Sequence, residues 1–352
     1  MVRHGALLLL VTLGVALVGA MVPACQPNLD DTVSIVTTAR VLAIQSSPAE
    51  APPMGSVTYT ALVAESGPDA GAPKLLWDYC NARNPLKNLG PVNTVCVHPG
   101  SSALSPLGSG LHVSGPIPSL ACGNFGPNAP PAMDGGMAGQ PVNPDFTGGY
   151  YQPVTVFLPQ ASGVADTLYF TRLSCGFAGA NQASQGILAA RYHLNENPEV
   201  ASLTAAGVTF VTNAKGAQNP VSRGQKLALE VAWPSCPRVD ACGDGVCGAD
   251  ESAMTCPKDC MTPKGCGGAE RFVNFDLTTQ AVVDQREGIH VSWYATAGSF
   301  DQDRTGRAGT DDATTSDDGW TAPSQVGLVN VWVVLRDDRG GIGWAEYVLD
   351  VR

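Results

Sequence analysis

Charge is scarce in this chain. Aspartate, glutamate, lysine and arginine make up 14% of its 352 residues, and acidic residues outnumber basic ones by 31 to 20, for a formal net charge of -11. Such a balance excludes nucleic acid and anionic headgroups as main partners, because both would be repelled. Histidine is rarer still, and His98, His112, His193 and His290 fall in no HExxH or HxH spacing. No G-x-S-x-G elbow, Walker loop or dinucleotide fingerprint occurs either. The expectation is therefore that the protein is not an enzyme. A hydrolase with a convergent site remains as a remote alternative, because triads are recognised by geometry rather than by order.

What is present begins at the N-terminus. Arg3 and His4 form a short basic start, Ala6 to Val22 is almost wholly apolar, and small residues precede Cys25. That is the layout of a cleaved export signal, although the same stretch is near the lower length limit for an uncleaved membrane anchor. After Cys25 the chain turns polar, and no later run is long and apolar enough to span a bilayer. Val22, Ala24 and Cys25 resemble the cleavage box of bacterial lipoproteins, with Pro23 an uncommon filler. The resemblance implies lipid attachment, palmitate included, at Cys25 and a membrane partner reached through that anchor. Gln26, where an inner-membrane retention signal would carry Asp, points to the outer membrane.

With Cys25 set aside, ten cysteines remain in two even groups: Cys80, Cys96, Cys122 and Cys175, then Cys236, Cys242, Cys247, Cys256, Cys260 and Cys266. Each group can close its own disulfides in an oxidising compartment. Zinc is the rival use, but C-x2-C spacing and neighbouring histidines are missing.

Forty glycines and 27 prolines suit short strands joined by turns. Period-two alternation marks Val57 to Val63, Leu227 to Trp233 and Ile289 to Ala295, and further strands are read at Arg40 to Ile44, Leu75 to Cys80, Val154 to Leu158, Thr167 to Cys175 and Ile187 to Leu194. Val329 to Leu335 runs through Asp337-Asp338-Arg339-Gly340-Gly341 into Tyr347 to Val351, the best hairpin in the sequence. Trp77 and Trp293 place one tryptophan on a central strand of each half. The fold class expected is all-β: a signal helix at 1–24, a tether at 25–37, an Ig-like β-sandwich at 38–197 and a second at 198–352, in series. The first carries a long, irregular Gly/Pro-rich insertion at about 97–150, and the second a disulfide-rich insert at 236–266. Asp301 to Asp318 is read as a solvated acidic loop, with calcium as the alternative.

Trp293 to Phe300, Trp320-Thr321-Ala322-Pro323 and Val331 to Asp338 resemble bacterial Ig-like and PKD-type sandwiches, and with Gly149 to Val154 and Asn195 to Pro198 the chain is similar to uncharacterised two-domain lipoproteins of myxobacteria. Cys242-Gly243-Asp244-Gly245-Val246-Cys247, then Asp250-Glu251 and Cys256-Pro257-Lys258-Asp259-Cys260, resembles a short cysteine-rich surface repeat. Such a module is too small for an apolar core and is held by disulfides. Its Asp244, Asp250, Glu251 and Asp259 are hard oxygen ligands that can converge on structural Ca2+, or else solvated turn residues. The function expected is a lipid-anchored structural or interaction protein of the cell surface. The alternative is a carbohydrate- or protein-binding module whose exposed Tyr150, Tyr151 and Trp320 meet an envelope protein or glycan.

Overall fold

Strands with one apolar face need a facing layer, and the chain supplies it twice. The computed structural model describes residues 33–64, 73–85, 88–127, 143–160, 163–177, 179–213, 216–237, 241–261 and 265–352. The signal segment, Cys25 and the first part of the tether lie outside these residues.

The first half contributes β1 (Arg40–Ser47), β2 (Glu50–Ala51), β3 (Ser56–Ala64), β4 (Leu76–Cys80), β5 (Leu104–Ser109), β6 (His112–Pro116), β7 (Tyr150–Gln160) and β8 (Gly163–Leu173). They form a three-stranded sheet, β1-β3-β6, and a five-stranded one, β2-β8-β7-β4-β5. The second half contributes β9 (Ser202–Ala205), β10 (Val208–Thr209), β11 (Asn219–Val221), β12 (Lys226–Ala232), β13 (Arg271–Asp276), β14 (Ala281–Arg286), β15 (Ile289–Ala295), β16 (Ser299–Phe300), β17 (Arg304–Arg307), β18 (Thr315–Thr321), β19 (Gly327–Asp337) and β20 (Ile342–Val351). Its sheets are β10-β9-β12-β18-β16 and β11-β20-β19-β15-β17, and β13 and β14 form a separate ribbon.

The architecture repeats although residue identity does not. In each half a short strand pairs parallel with the last one, β2 with β8 and β11 with β20, and the sheet then continues through equivalent strands. Trp77 on β4 and Trp293 on β15 occupy matching central strands and are fully buried. Their indole N–H groups donate to the Gly110 carbonyl at 2.8 Å and to Thr305 Oγ1 at 2.9 Å. The fold is thus all-β, with two Ig-like sandwiches and a disulfide-rich insert in the second.

The sandwiches share a layer. Val329, Val331, Val333 and Leu335 of β19 pack into the second core. Trp332 and Val334, pointing the other way, join Leu42, Ile44, Tyr59 and Trp77 in the first. A strand buried on both faces must read as a continuous apolar run, which Val331 to Leu335 does. Polar contacts flank this seam: Gln45 Nε2 donates to the Ile342 carbonyl at 2.5 Å, and Arg336 Nη2 to the Leu42 carbonyl at 2.9 Å.

Four local expectations change. Residues 187–191 of the Ile187 to Leu194 strand belong to a helix, which with the short α1 (Ala121–Phe125) before it becomes α2 (Gln182–Arg191). Asn181 caps α2 by accepting from the Ser184 amide at 2.9 Å, and Ser184 and Leu188, four apart, face inward. Leu188 then packs on Val273 and Phe275 of the β13-β14 ribbon. The long insertion, expected to be irregular but partly ordered through Cys122, holds β5, β6 and α1, since β5 extends one sheet beside β4 and β6 the other beside β3, and Cys122 is tied to Cys175. The end of the tether is bound: the Val36 amide donates to the Ala295 carbonyl at 2.8 Å, and the Ala295 amide to the Ser34 carbonyl at 2.9 Å. Finally, Asp301 to Asp318 holds β17 and the first part of β18 rather than one loop. Its Asp301 pairs with Lys226, Asp312 with Arg286, and Asp311 and Asp317 with Arg307.

Candidate functional site

The cysteines form five disulfides, Cys80–Cys96, Cys122–Cys175, Cys236–Cys266, Cys242–Cys256 and Cys247–Cys260. The first two fasten β4 to the turn at Thr94–Val97 and α1 to the end of β8. The last three hold the insert, where the buried apolar residues among those described are Cys236, Cys247, Ala249, Cys256 and Cys260. A short helix, α3 (Pro257–Cys260), starts on Cys256.

The four candidate calcium ligands do not converge as a set. Asp244 is exposed and accepts from the Val246 amide two residues on, at 2.9 Å. Asp250 is held by Arg191 at 2.7 Å and Arg271 at 3.3 Å. Two cations already neutralise it. Only Glu251 and Asp259 come together, beside the Cys242–Cys256 bridge.

The aromatic platform is overturned. Trp320 is 0% exposed and Tyr150 2%, because both point into the cores of the strands that carry them. Tyr151 is half-buried, and its hydroxyl donates to Asp145 Oδ2 at 2.5 Å. Of the histidines, His290 is 3.0 Å from Asp338, whose hydrogen bond raises its pKa against the effect of burial. His193 lies beside the cysteine-rich insert, with Nε2 3.1 Å from the Glu251 carbonyl.

The densest chemistry lies where the halves meet, in residues that no motif marks. Glu50 on β2 and Arg172 on β8 stand opposite each other in the parallel register and pair at 3.1 Å, fully buried. Glu50 also accepts from Ser174 Oγ at 3.1 Å, from the Tyr192 hydroxyl at 2.7 Å and from the Asn195 amide at 3.2 Å. Arg172 donates onward to Thr147 Oγ1 at 2.6 Å and to the Tyr151 hydroxyl at 3.1 Å.

A second buried arginine sits in the β19-β20 turn. Arg339 pairs with Glu287 at 2.5 Å and Glu270 at 2.9 Å, and donates to the His193 carbonyl at 3.1 Å. Asp337 accepts from the Arg339 and Gly341 amides at 2.9 and 2.8 Å. Asn195 joins the two clusters: its backbone donates to Glu50, and its side-chain amide to Asp337 at 3.3 Å.

Around Arg339 three carboxyls face one guanidinium, so charge alone does not balance. Burial pushes Glu270 up to about 7, with Glu287 adding to the rise and Arg339 opposing it. Burial likewise pushes Glu287 up to about 7 and Asp337 up to about 6, Arg339 again opposing. Burial alone would lower the Arg339 pKa, but Glu287 and Glu270 raise it and keep it charged. The arrangement can hold and release protons near neutrality.

A cavity of about 290 Å³ opens beside this cluster, bounded by Tyr192, His193, Glu270, Arg339 and the insert around Cys247 and Cys266. A second, of about 240 Å³, lies across Tyr192 against Glu50, Arg172 and Phe177. From sequence none of these charges has a site role, and Asp337 and Arg339 read only as turn residues. The available signal was a lone charge inside an apolar strand, such as Arg172 after Leu168 to Thr171, in a chain poor in charge.

No protein-family model matches the chain, and no curated protein does. Solved structures similar to it include the fibronectin(III)-like modules of Clostridium thermocellum CbhA, at 7% identity over 88% of this chain and 94% of that one, with a TM-score of 0.21. Red sea bream transglutaminase matches at 9% identity over 90% of this chain and 32% of its own length, with a TM-score of 0.22. A nucleoside hydrolase-related hypothetical protein from Saccharophagus degradans matches at 11% over 44% of this chain and 26% of its own, with a TM-score of 0.19. The chain thus spans well under two thirds of the last two proteins. At these identities and TM-scores the likeness carries no argument about reaction, ligand or partner.

Proposed function

We propose that the protein is a structural or interaction lipoprotein of the cell envelope, attached through Cys25 to the outer membrane and presenting its two sandwiches as one rigid body to an envelope protein or glycan. The observation that carries this reading is the buried junction of Glu50, Arg172, Tyr192, Asn195, Asp337 and Arg339. Its polar groups hydrogen-bond one another across the two halves. Such a network fixes relative orientation, a property suited to a spacer or scaffold, and under this reading the protein is not an enzyme. Five disulfides support an oxidising compartment. The lipobox-like Val22 to Cys25 supports the anchor: three acyl chains exceed the two-signal requirement for stable attachment.

The test is expression in a diderm bacterium fed an alkyne-tagged fatty acid. The wild type is expected to take up label and fractionate with the outer membrane, and Cys25→Ser to lose both. Membrane attachment without label would instead indicate an uncleaved anchor and overturn lipid attachment.

A further inference from the structure

The cysteine-rich insert contains a polar anomaly that neither its disulfides nor the junction explains. Glu251 is 5% exposed and Asp259 7%. Carboxylate oxygens of the two lie within 4.8 Å of each other. Neither has an ion-pair partner among the described residues, although Arg191 and Arg271 stand close enough to hold the neighbouring Asp250. Asp259 accepts from the Gly243 amide and from the Gly245 amide at 3.2 Å, and the Cys256 sulfur, which as a disulfide carries no proton, lies 3.2 Å from its Oδ2. Glu251 Oε2 accepts from the Gly248 amide at 3.2 Å, while its Oε1 is buried with no hydrogen-bond partner at all.

Buried carboxylate oxygens are ordinarily hydrogen-bonded or neutralised, and two of them facing each other repel. A buried carboxylate with an orphaned Oε1, lying beside a second buried carboxylate, is the environment a cation relieves. We infer that Glu251 and Asp259 form the protein half of a Ca2+ site in the insert. Two oxygens bound to one Ca2+ at 2.3–2.6 Å from the ion stand at most about 4.6–5.2 Å apart, and the two carboxylates lie within that reach of each other; Mg2+ demands a tighter, near-octahedral shell. The sulfurs of Cys242 and Cys256 lie in the same cluster, but as a closed disulfide they offer a hard cation no thiolate. They wall the site, and carbonyl groups or water complete the shell. With only two charged ligands the affinity belongs to the weak range of extracellular modules, on the order of 10⁻⁴–10⁻³ M.

The experiment titrates the purified full chain, first stripped with EGTA, with CaCl2 at constant ionic strength. It follows melting temperature, calorimetric stoichiometry and, by mass-mapped alkylation, the rate at which dithiothreitol opens each disulfide. One Ca2+ is expected to bind near millimolar concentration, to raise the melting temperature, and to slow opening of Cys242–Cys256 but not of Cys80–Cys96. Glu251→Gln, which keeps the acceptor for the Gly248 amide, is expected to shift the half-effect at least about tenfold upward, and the exposed Asp244→Asn to leave it in place. If Glu251→Gln fails to fold, selective protection of Cys242–Cys256 in the wild type decides alone. Absence of saturable binding below about 10 mM, an equal response to MgCl2, or a response unchanged in Glu251→Gln overturns the site.

Discussion

The Tyr192 hydroxyl lies 2.7 Å from both carboxylate oxygens of Glu50, 142 residues earlier in the chain. Burial and then the Glu50 charge push the phenol up to about 12, so it stays a donor at every physiological pH. Removing that donor leaves Arg172, Ser174 and Asn195 on the carboxylate. Tyr192→Phe is expected to cost about 1.5–3 kcal/mol, the range for a hydrogen bond to a charged group, measured by urea denaturation. An unchanged midpoint would show that the contact adds nothing to stability.

Arg339 is the only cation in direct contact with Glu270 and Glu287 among the described residues. Arg339→Ala strands these carboxyls and Asp337 in a buried site, and the expected loss is about 3–5 kcal/mol at pH 8. Because the stranded groups are relieved by protonation, the deficit is expected to shrink as the pH falls towards 5. Denaturation at the two pH values measures both effects.

The raised carboxyls also set the direction of the wild-type pH profile. Burial pushes Glu270 and Glu287 up to about 7 in the folded state, against an ordinary value of 4.5, so the folded state binds more protons throughout that window. Their stabilising contribution is therefore full below about 4.5 and is lost as the pH rises through about 7. His290, raised above 6.5 by Asp338, has the same sign at the upper end. The melting temperature is expected to fall between about pH 5 and 8, and Glu287→Gln to flatten that slope. A slope that survives the substitution would place the proton uptake elsewhere.

Trp332 fills the seam between the sandwiches. Trp332→Ala is expected to cost about 3–5 kcal/mol through the cavity it leaves. Because both cores include residues of β19, the wild type is expected to unfold in one calorimetric transition, with equal van't Hoff and calorimetric enthalpies. Two resolved transitions would mean that the shared layer does not couple them.

Gly341 sits where the β19-β20 turn meets Asn195. A Cβ there would lie 2.1 Å from Asp337 Oδ2 and 2.8 Å from the Glu196 carbonyl, so Gly341→Ala must displace backbone or break the Asp337 contacts. The expected cost is at least about 1–3 kcal/mol by urea denaturation, whereas Gly186→Ala on α2, with nothing nearby, is expected to be neutral or mildly stabilising.

The legible parts of the sequence were those governed by local rules. Val329 to Val351 pairs with Arg336 opposite Ile342, as alternation and the Asp337 to Gly341 turn require. Trp77 and Trp293 stand on matching strands for the same reason. Residues 187–191 misled because a short apolar run fits helix or strand alike, and the deciding signal was Asn181, a capping residue just outside it. Trp320 and Tyr150 misled because sequence does not say which face of a strand a second sheet will cover; both stand on interior strands, β18 and β7. Glu251 and Asp259 were visible as acids but not as a pair: disulfide geometry, which six cysteines in sequence leave undetermined, selects them over Asp244 and Asp250.

Neighbours in sequence, Val331 and Trp332 seal different cores, and this gives the chain a timetable. The half made first lacks Trp332, Val334 and Ile342 until the half made last has arrived. Its hydrophobic interior therefore stays incomplete during synthesis, and a premature, fully closed N-terminal product is disfavoured. A polypeptide whose first core takes residues from its last two long strands completes both cores together.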